Sequence, residues 1–473
     1  MSRNETAVTR NRLQQTFDLL RESLKHSDRD LTKGPIRKAL ILLAIPMVLE
    51  MAMESVFAIV DIFWVAKLGA EAIAVVGLTE AMLSLLYAIC LGFGMAVTAV
   101  VSRRIGEKNP EAAAATAGQA IWISMLLASI IGVAGYWYAE PMLKLMGADD
   151  AVISQGLGFT QVLLGGSASI FYIFVLNAVF RGAGDATIAM RSLWLANGIN
   201  LVLDPCLIFG WWIFPEMGVT GAAVATTIGR SAGVAYQLYH LFWRPGRIQM
   251  TRRSLRFDGK IALRLGRLSL GGIGQFLIAT SSWLFMIRIV AVFGSTAIAG
   301  FTIAIRALEF VILPAWGLGN AAATLVGQNL GAGLPERASR SAWRASYYNF
   351  VAMLIIAILF GLFAETIVGW FSTEAGVFES GVLCIRYLGL SLPIYATGMI
   401  LTQSLNGAGV TRTPTILNLV AFWILQIPLA LYLAQTLLMG PKGVLIAMIV
   451  AEALLSATAA LIFYRGRWQH SFV

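Results

Sequence analysis

Charge is scarce in this chain, and histidine and cysteine are scarcer still. Asp, Glu, Lys and Arg make up 13% of its 473 residues, where a soluble protein carries about 25%. With hydrophobic residues at 58% and a mean hydropathy of +0.76, stretches of the roughly 20 apolar residues that a spanning helix needs recur almost end to end. A water-soluble globule is excluded. So is a β-barrel, whose strands alternate apolar and polar residues in short segments. The three histidines, His26, His240 and His470, lie in or beside polar termini and loops, so no intramembrane histidine relay is available. Cys90, Cys206 and Cys384 sit in apolar segments with no pairing pattern and read as buried thiols. No Walker sequence occurs, which leaves an ion gradient as the source of energy. Residues 1–35 are polar and hold no apolar core of a cleavable signal peptide.

What is present is a polytopic all-helical pattern. Apolar runs between polar or Gly/Pro breaks predict twelve transmembrane helices at 38–66, 71–100, 112–137, 151–179, 188–212, 217–243, 261–292, 297–327, 338–364, 378–404, 413–437 and 440–464. Residues 1–36 form a polar leader in which Leu13, Phe17, Leu20 and Leu24 recur at helical spacing. It reads either as a short amphipathic helix on the membrane or as a tail without fixed structure. The net charge of +10 is not a nucleic-acid footprint, because it gathers in alternate loops. Arg103, Arg104 and Lys108, the Arg/Lys-rich 244–260 segment, Arg337 and Arg340, and Arg465 and Arg467 share one side with the leader. The opposite loops hold mainly acids, among them Asp149, Asp150, Glu216 and Glu374. The positive-inside rule then puts both termini in the cytoplasm.

The chain is also a repeat. A shift of 225 residues lays Gly69 on Gly294, Gly92 and Gly94 on Gly317 and Gly319, Gly106 on Gly331, Gly182-Ala183-Gly184 on Gly407-Ala408-Gly409, and Gly218-Val219 on Gly443-Val444. Six helices per repeat give both halves the same orientation, related by a pseudo-twofold axis along the membrane normal, as in transporters that rock two bundles around a cavity. The expected organisation is a leader at 1–36, an N-lobe at 37–243, a linker at 244–260, a C-lobe at 261–465 and a tail at 466–473.

The chemistry is concentrated in a few carboxylates. A charge at the bilayer centre costs about 2.5–3.5 kcal/mol, so it faces a cavity or a partner. At about 100° per residue, Glu50, Glu54, Phe57 and Asp61 share one narrow face of the first helix. Pro46 at its inner end removes a backbone hydrogen bond and is a candidate hinge. Asp61 lies roughly 9 Å from the outer end at 1.5 Å per residue. In the fifth helix, "ANGINLVLDPCLIFG", Asp204 reaches a similar depth one turn after Asn200. Two acids at one depth beside a carboxamide can share a proton or hold a hard cation through oxygen; the alternative is a structural pair of buried acids. Glu80 on the second helix and mid-membrane Glu54 are candidates for the same cavity or a proton relay, and Glu50 lies deeper. Arg306 and Glu309 on the eighth helix are spaced to pair on one face. Glu452 on the twelfth has no assignment. The turns "RGAGDAT" and "NGAGVTRTP" follow no strand, so their glycines serve tight turns rather than a phosphate.

The segments "DIFWVAKLGAEAIAVVGL" (61–78), "RGAGD", "NLVLDP" and "VGQNLGAG" (326–333) closely resemble the MATE family of multidrug and toxic-compound extrusion transporters, over residues 36 to 465. The resemblance implies a V of two six-helix lobes and antiport of organic, cationic or amphipathic compounds against H⁺ or Na⁺. Within the family the match is to the DinF-type branch. There Asp61, Asn200 and Asp204 fall on the functional positions of helices 1 and 5, Thr226 on a helix-6 threonine and Pro46 on the bending proline. Asp61, Asn200 and Asp204 would be the metal ligands if Na⁺ is the coupling ion. The NorM-type branch uses acids in helices 7 and 10, where this chain offers only Glu379 at the start of helix 10. The expectation is a monomeric secondary antiporter of the inner membrane, not an enzyme, with no cofactor beyond H⁺ or Na⁺. Its partners would be a small organic molecule and membrane lipid, with no nucleic acid. The alternative is a flippase of the wider MOP superfamily that moves a lipid-linked substrate, for which a strongly cationic cavity is expected.

Overall fold

The computed structural model describes residues 18–24 and 30–470, and all its long elements are helices. They are α1 (Ile36–Val65), α2 (Ala70–Gly106), α3 (Pro110–Leu145), α4 (Asp150–Gly165), α5 (Ser167–Ala183), α6 (Ala186–Phe209) and α7 (Val219–Trp243). The second half has α8 (Gly259–Ala291), α9 (Ser295–Gly331), α10 (Pro335–Gly369), α11 (Ala375–Gly407), α12 (Arg412–Asn418), α13 (Ile427–Leu431) and α14 (Pro441–Tyr464). Leu13, Phe17 and His26 lie outside the described residues.

Local chemistry sets the helix ends. The Asn109 side chain accepts the Ala112 amide at 3.0 Å, with Pro110 as the first helical residue of α3. Asp149 accepts the Val152 amide at 2.8 Å to open α4. Asp258 accepts from Lys260 at 2.8 Å to open α8. Among the described residues, ten helices are long and apolar enough to cross a membrane, and α4 with α5 adds an eleventh span that bends by 42°. The fourth predicted helix is thus broken, at Gly165–Gly166, where the Gly166 amide closes back on the Val162 carbonyl at 2.8 Å. The twelfth span is α7, whose 25 residues are long enough but carry Thr226, Thr227, Arg230 and Gln237. Between Arg412 and Thr436 the eleventh predicted helix widens to π geometry at Leu419–Gln426 and Tyr432–Thr436. Pro428 lies between the two stretches and cannot donate a backbone bond.

The two lobes obey the expected symmetry down to single contacts. A Cβ on Gly106 would lie 2.0 Å from the Gln328 carbonyl oxygen, and one on Gly331 would lie 2.1 Å from the Arg103 oxygen. These contacts exchange under the 225-residue shift, so the same crossing is made twice around one pseudo-twofold axis. One register differs from the sequence alignment. The Met217 and Gly218 amides bond to Leu207 and Ile208, while those of Met439 and Gly440 bond to Leu433 and Ala434. Gly218 (φ 56°) and Gly440 (φ 61°) both precede the last helix of their lobe. The structural partner of Gly218 is therefore Gly440, not Gly443. The N-lobe connection is the longer one, Leu207 to Met217 against Leu433 to Met439, and the net shift is 222 for α7 and α14.

Lobe-to-lobe contacts cluster toward the basic end. Thr324 Oγ1 donates to the Arg181 carbonyl at 3.2 Å and Gln328 Nε2 to the Gly182 carbonyl at 3.0 Å. Helix α1 bridges the lobes. Its inner residues Leu40, Leu43 and Met47 join the hydrophobic core of the C-lobe. Beyond Pro46 it turns to the N-lobe, where Trp194 on α6 donates to the Leu49 carbonyl at 3.2 Å. The described part of the leader docks on the same end, through a Lys38–Glu22 ion pair of 3.1 Å and Arg191 donating to the Leu24 carbonyl at 2.8 Å.

Candidate functional site

The acidic face of α1 is divided between two environments. Glu50 is 1% exposed and does not face a cavity. Its Oε1 accepts from Asn177 Nδ2 at 3.0 Å and from Arg181 Nη1 at 3.1 Å. Behind it the network continues: Ser192 Oγ donates to Asn177 Oδ1 at 3.1 Å, and Gln237 Nε2 donates to that same oxygen and, at 2.9 Å, to Ser192 Oγ. Every member is buried, so this knot joins α1, α5, α6 and α7 in the N-lobe. Glu50, a candidate cavity or relay acid from its place on the acidic face, is thus packed against Arg181, and its Oε2 accepts no hydrogen bond among the described residues. An arginine on a span 131 residues away lies beyond any single-helix pattern. The i, i+4 spacing of Asn177 and Arg181 is the signal that could have raised the question.

Glu54 and Asp61, one and three turns farther out, are only partly buried. Glu54 is half-buried and accepts from Asn197 Nδ2 at 3.2 Å. Arg230 on α7 lies within electrostatic reach of both Glu54 and Asp61. It donates to the Tyr87 hydroxyl at 3.0 Å, with its guanidinium 5.9 Å from the ring centre. Arg230 was not singled out in the sequence, although it lies one turn after Thr226 on the same face of α7.

Three predicted residues meet around one carboxamide. Asn200 Nδ2 donates to Thr226 Oγ1 at 2.9 Å and to Asp204 Oδ1 at 3.2 Å. Asp204 is fully buried. Two buried oxygens here, Asp204 Oδ2 and Asn200 Oδ1, accept no hydrogen bond among the described residues, although a buried acceptor left unmatched costs about 1–3 kcal/mol. Asp61 lies within electrostatic reach of Asp204 and of Glu80, which is exposed on α2. Glu80 in turn faces Arg306 and Glu309 of the C-lobe. Those two form an ion pair of 3.2 Å with both side chains about half exposed. No three His, Cys, Asp or Glu side chains gather for a metal among the described residues. A cation here would be held by two carboxylates, an amide oxygen and a hydroxyl, a donor set suited to a single positive charge.

The family model MatE matches residues 46–206 and 273–432, one stretch in each lobe. A probable multidrug resistance protein NorM of Thermotoga maritima is 28% identical over 441 residues, covering 92% of this chain and 93% of that protein. The FAD transporter of Shewanella oneidensis is 25% identical over 427 residues, covering 90% and 94%. The outward-facing structure of a multidrug resistance MATE transporter of the MOP superfamily superposes with a TM-score of 0.87 at 25% identity, covering 93% of this chain and 98% of that one. Two matching stretches related by the internal repeat, and likeness over nearly the full length, make this chain a member of the MATE family of multi-pass membrane transporters.

Proposed function

We propose that the protein is an antiporter of the cytoplasmic membrane that exports organic cations or amphipathic compounds against H⁺ or Na⁺, with both termini cytoplasmic and Asp61, Asn200, Asp204 and Thr226 as its coupling site. The observation that carries this reading is the pair of unmatched buried oxygens, Asp204 Oδ2 and Asn200 Oδ1, beside a second carboxylate. A proton on Asp204 or a Na⁺ between the oxygens supplies the missing partner. Binding there favours one arrangement of α1, α6 and α7, and Pro46 is the point where α1 leaves the C-lobe core for that cluster. Alternating access follows if cargo and ion favour different arrangements. Cationic cargo is supported by the balance of charge: Glu54 and Asp61 lie within electrostatic reach of Arg230, Glu80 and Asp204 add two further acids within reach of Asp61, and Arg306 and Glu309 form their own pair. A lipid-linked anionic cargo would call for the opposite balance.

The test is efflux of a fluorescent organic cation from proteoliposomes under separately imposed pH and Na⁺ gradients. Wild type should respond to one gradient, and Asp61→Asn and Asp204→Asn should each lose that response. Normal gradient-driven rates in both variants would sink the assignment.

A further inference from the structure

The C-lobe contains a chamber of its own, of about 450 Å³, within the range of drug-sized sites. Apart from Met95 its walls all come from residues of the C-lobe. They are strongly aromatic, with Phe276, Trp283, Trp316, Tyr395 and Phe422 around the half-buried carboxylate of Glu452. Trp316 Nε1 donates to the Tyr395 hydroxyl at 2.8 Å, which fixes both rings in the wall. Tyr395 lies within electrostatic reach of Glu452. Glu452 makes no hydrogen bond or ion pair among the described residues, and no basic group lies within its electrostatic reach. Glu309, the other acid of the chamber wall, is by contrast paired with Arg306 at 3.2 Å.

The internal repeat sharpens this picture. With the register set by Gly218 and Gly440, Glu452 occupies in α14 the position that Arg230 occupies in α7. The N-lobe thus places a cation, and the C-lobe an anion, at one symmetric point. Tyr87, the hydroxyl that meets Arg230, corresponds to Ile312, which lines the C-lobe chamber without offering a hydrogen bond. An acid inside a membrane with no protein partner, ringed by aromatic faces, is complementary to a positive charge carried on an apolar body.

We propose that this chamber binds a flat, aromatic, monovalent organic cation, its charge at Glu452 and its rings against Trp316 and Tyr395. The site deepens the export reading and rests on it for its biological use, but its binding is separable from coupling. Cargo and coupling ion are held in different lobes, so they communicate through lobe movement rather than by competing for one carboxylate.

The experiment is equilibrium binding of ethidium to the purified full-length chain in nanodiscs, read by fluorescence anisotropy without any gradient, beside gradient-driven ethidium efflux from proteoliposomes. Glu452→Gln, which keeps the shape and removes the charge, should weaken ethidium binding at least tenfold, and Glu452→Asp should restore part of it. Asp204→Asn should bind ethidium within about twofold of wild type while losing coupled efflux, a difference set by site rather than by folding. Unchanged binding in Glu452→Gln overturns the proposal, as does loss of binding in Asp204→Asn alone. Coupled efflux that survives with Glu452-independent binding leaves the antiporter reading standing and removes this site. Glu452-dependent binding with gradient-independent efflux does the reverse.

Discussion

Where Glu50 of the N-lobe meets Arg181, the C-lobe sets Gln275 against Asn406. The positions correspond under the 225-residue shift, and the amide pair keeps the contact, with Gln275 Nε2 to Asn406 Oδ1 and Asn406 Nδ2 to Gln275 Oε1 both at 3.0 Å. The same helices cross in both lobes and the same positions touch, yet one contact is ionic and the other neutral. Farther out, Glu54 and Asp61 become Ala279 and Met286, and Arg230 becomes Glu452. One backbone plan therefore carries a charge-rich N-lobe cluster and an aromatic C-lobe chamber in which Glu309 is paired with Arg306 and Glu452 is not paired among the described residues. Shape has been held while the chemistry diverged, which is what two lobes need if one handles a small ion and the other a larger apolar body.

The largest way to break this comparison is at the ionic contact. Arg181→Ala leaves Glu50 buried without its counter-charge, and losing one partner of a buried pair costs about 3–5 kcal/mol. Asn406→Ala leaves only neutral amide groups unmatched, about 1–3 kcal/mol. The unfolding midpoint in detergent should fall clearly farther for Arg181→Ala. The double variant Glu50→Gln with Arg181→Asn copies the C-lobe pair and should recover most of the loss. An equal fall in the two single variants would mean that Glu50 carries no buried charge.

A smaller effect tests the symmetry itself. A Cβ on Gly92 would lie 2.2 Å from the Ile273 amide nitrogen, and one on Gly317 would lie 2.6 Å from the Met47 carbonyl oxygen. Both obstacles are backbone across the lobe interface, and both contacts are one contact repeated. Gly92→Ala and Gly317→Ala should each disfavour closure of the basic end by about 1–3 kcal/mol, the usual cost of overpacking. Maleimide labelling of a cysteine placed at Ser102, buried at that interface, should accelerate to a similar extent in both. Acceleration in one variant alone would show that the two crossings do not share the load.

How far the sequence discloses this molecule depends on whether a feature is local. Hydropathy and the glycine repeat reveal the helical lobes because a spanning helix must be apolar along its length and a crossing needs small residues at a fixed place. Asp61, Asn200 and Asp204 are legible as a group because acids and amides at matched depth are rare in apolar helices, whereas Thr226 enters only through the family resemblance. Glu50 is not, since its partner Arg181 comes from another span and reads in isolation as part of a basic turn. Glu452 is invisible for a different reason: its meaning lies in aromatic residues from α8, α9 and α11 that only the packing assembles. The offset of Gly218 from Gly443 misleads because a loop of different length shifts the register where the glycine pattern happens to repeat.

The smallest expected effect separates the lobes at Thr226. Its hydroxyl accepts one of the two Asn200 hydrogen bonds at 2.9 Å and so helps aim the carboxamide at Asp204. Its C-lobe counterpart under the 222-residue shift is Met448, which lines the aromatic chamber. Removing the hydroxyl leaves the Asp204 contact in place, so Thr226→Ala loses one neutral hydrogen bond, about 0.5–1.5 kcal/mol. That corresponds to roughly a 2- to 10-fold rise in the concentration of coupling ion needed for half-maximal efflux. Met448→Ala should leave that concentration unchanged and alter only the dependence on organic cargo, because it touches no group of the ion cluster. Measuring both concentration dependences in both variants assigns each lobe its ligand. If Met448→Ala shifts the ion dependence as much as Thr226→Ala does, the two chambers are one functional site and the division of labour between the lobes is wrong.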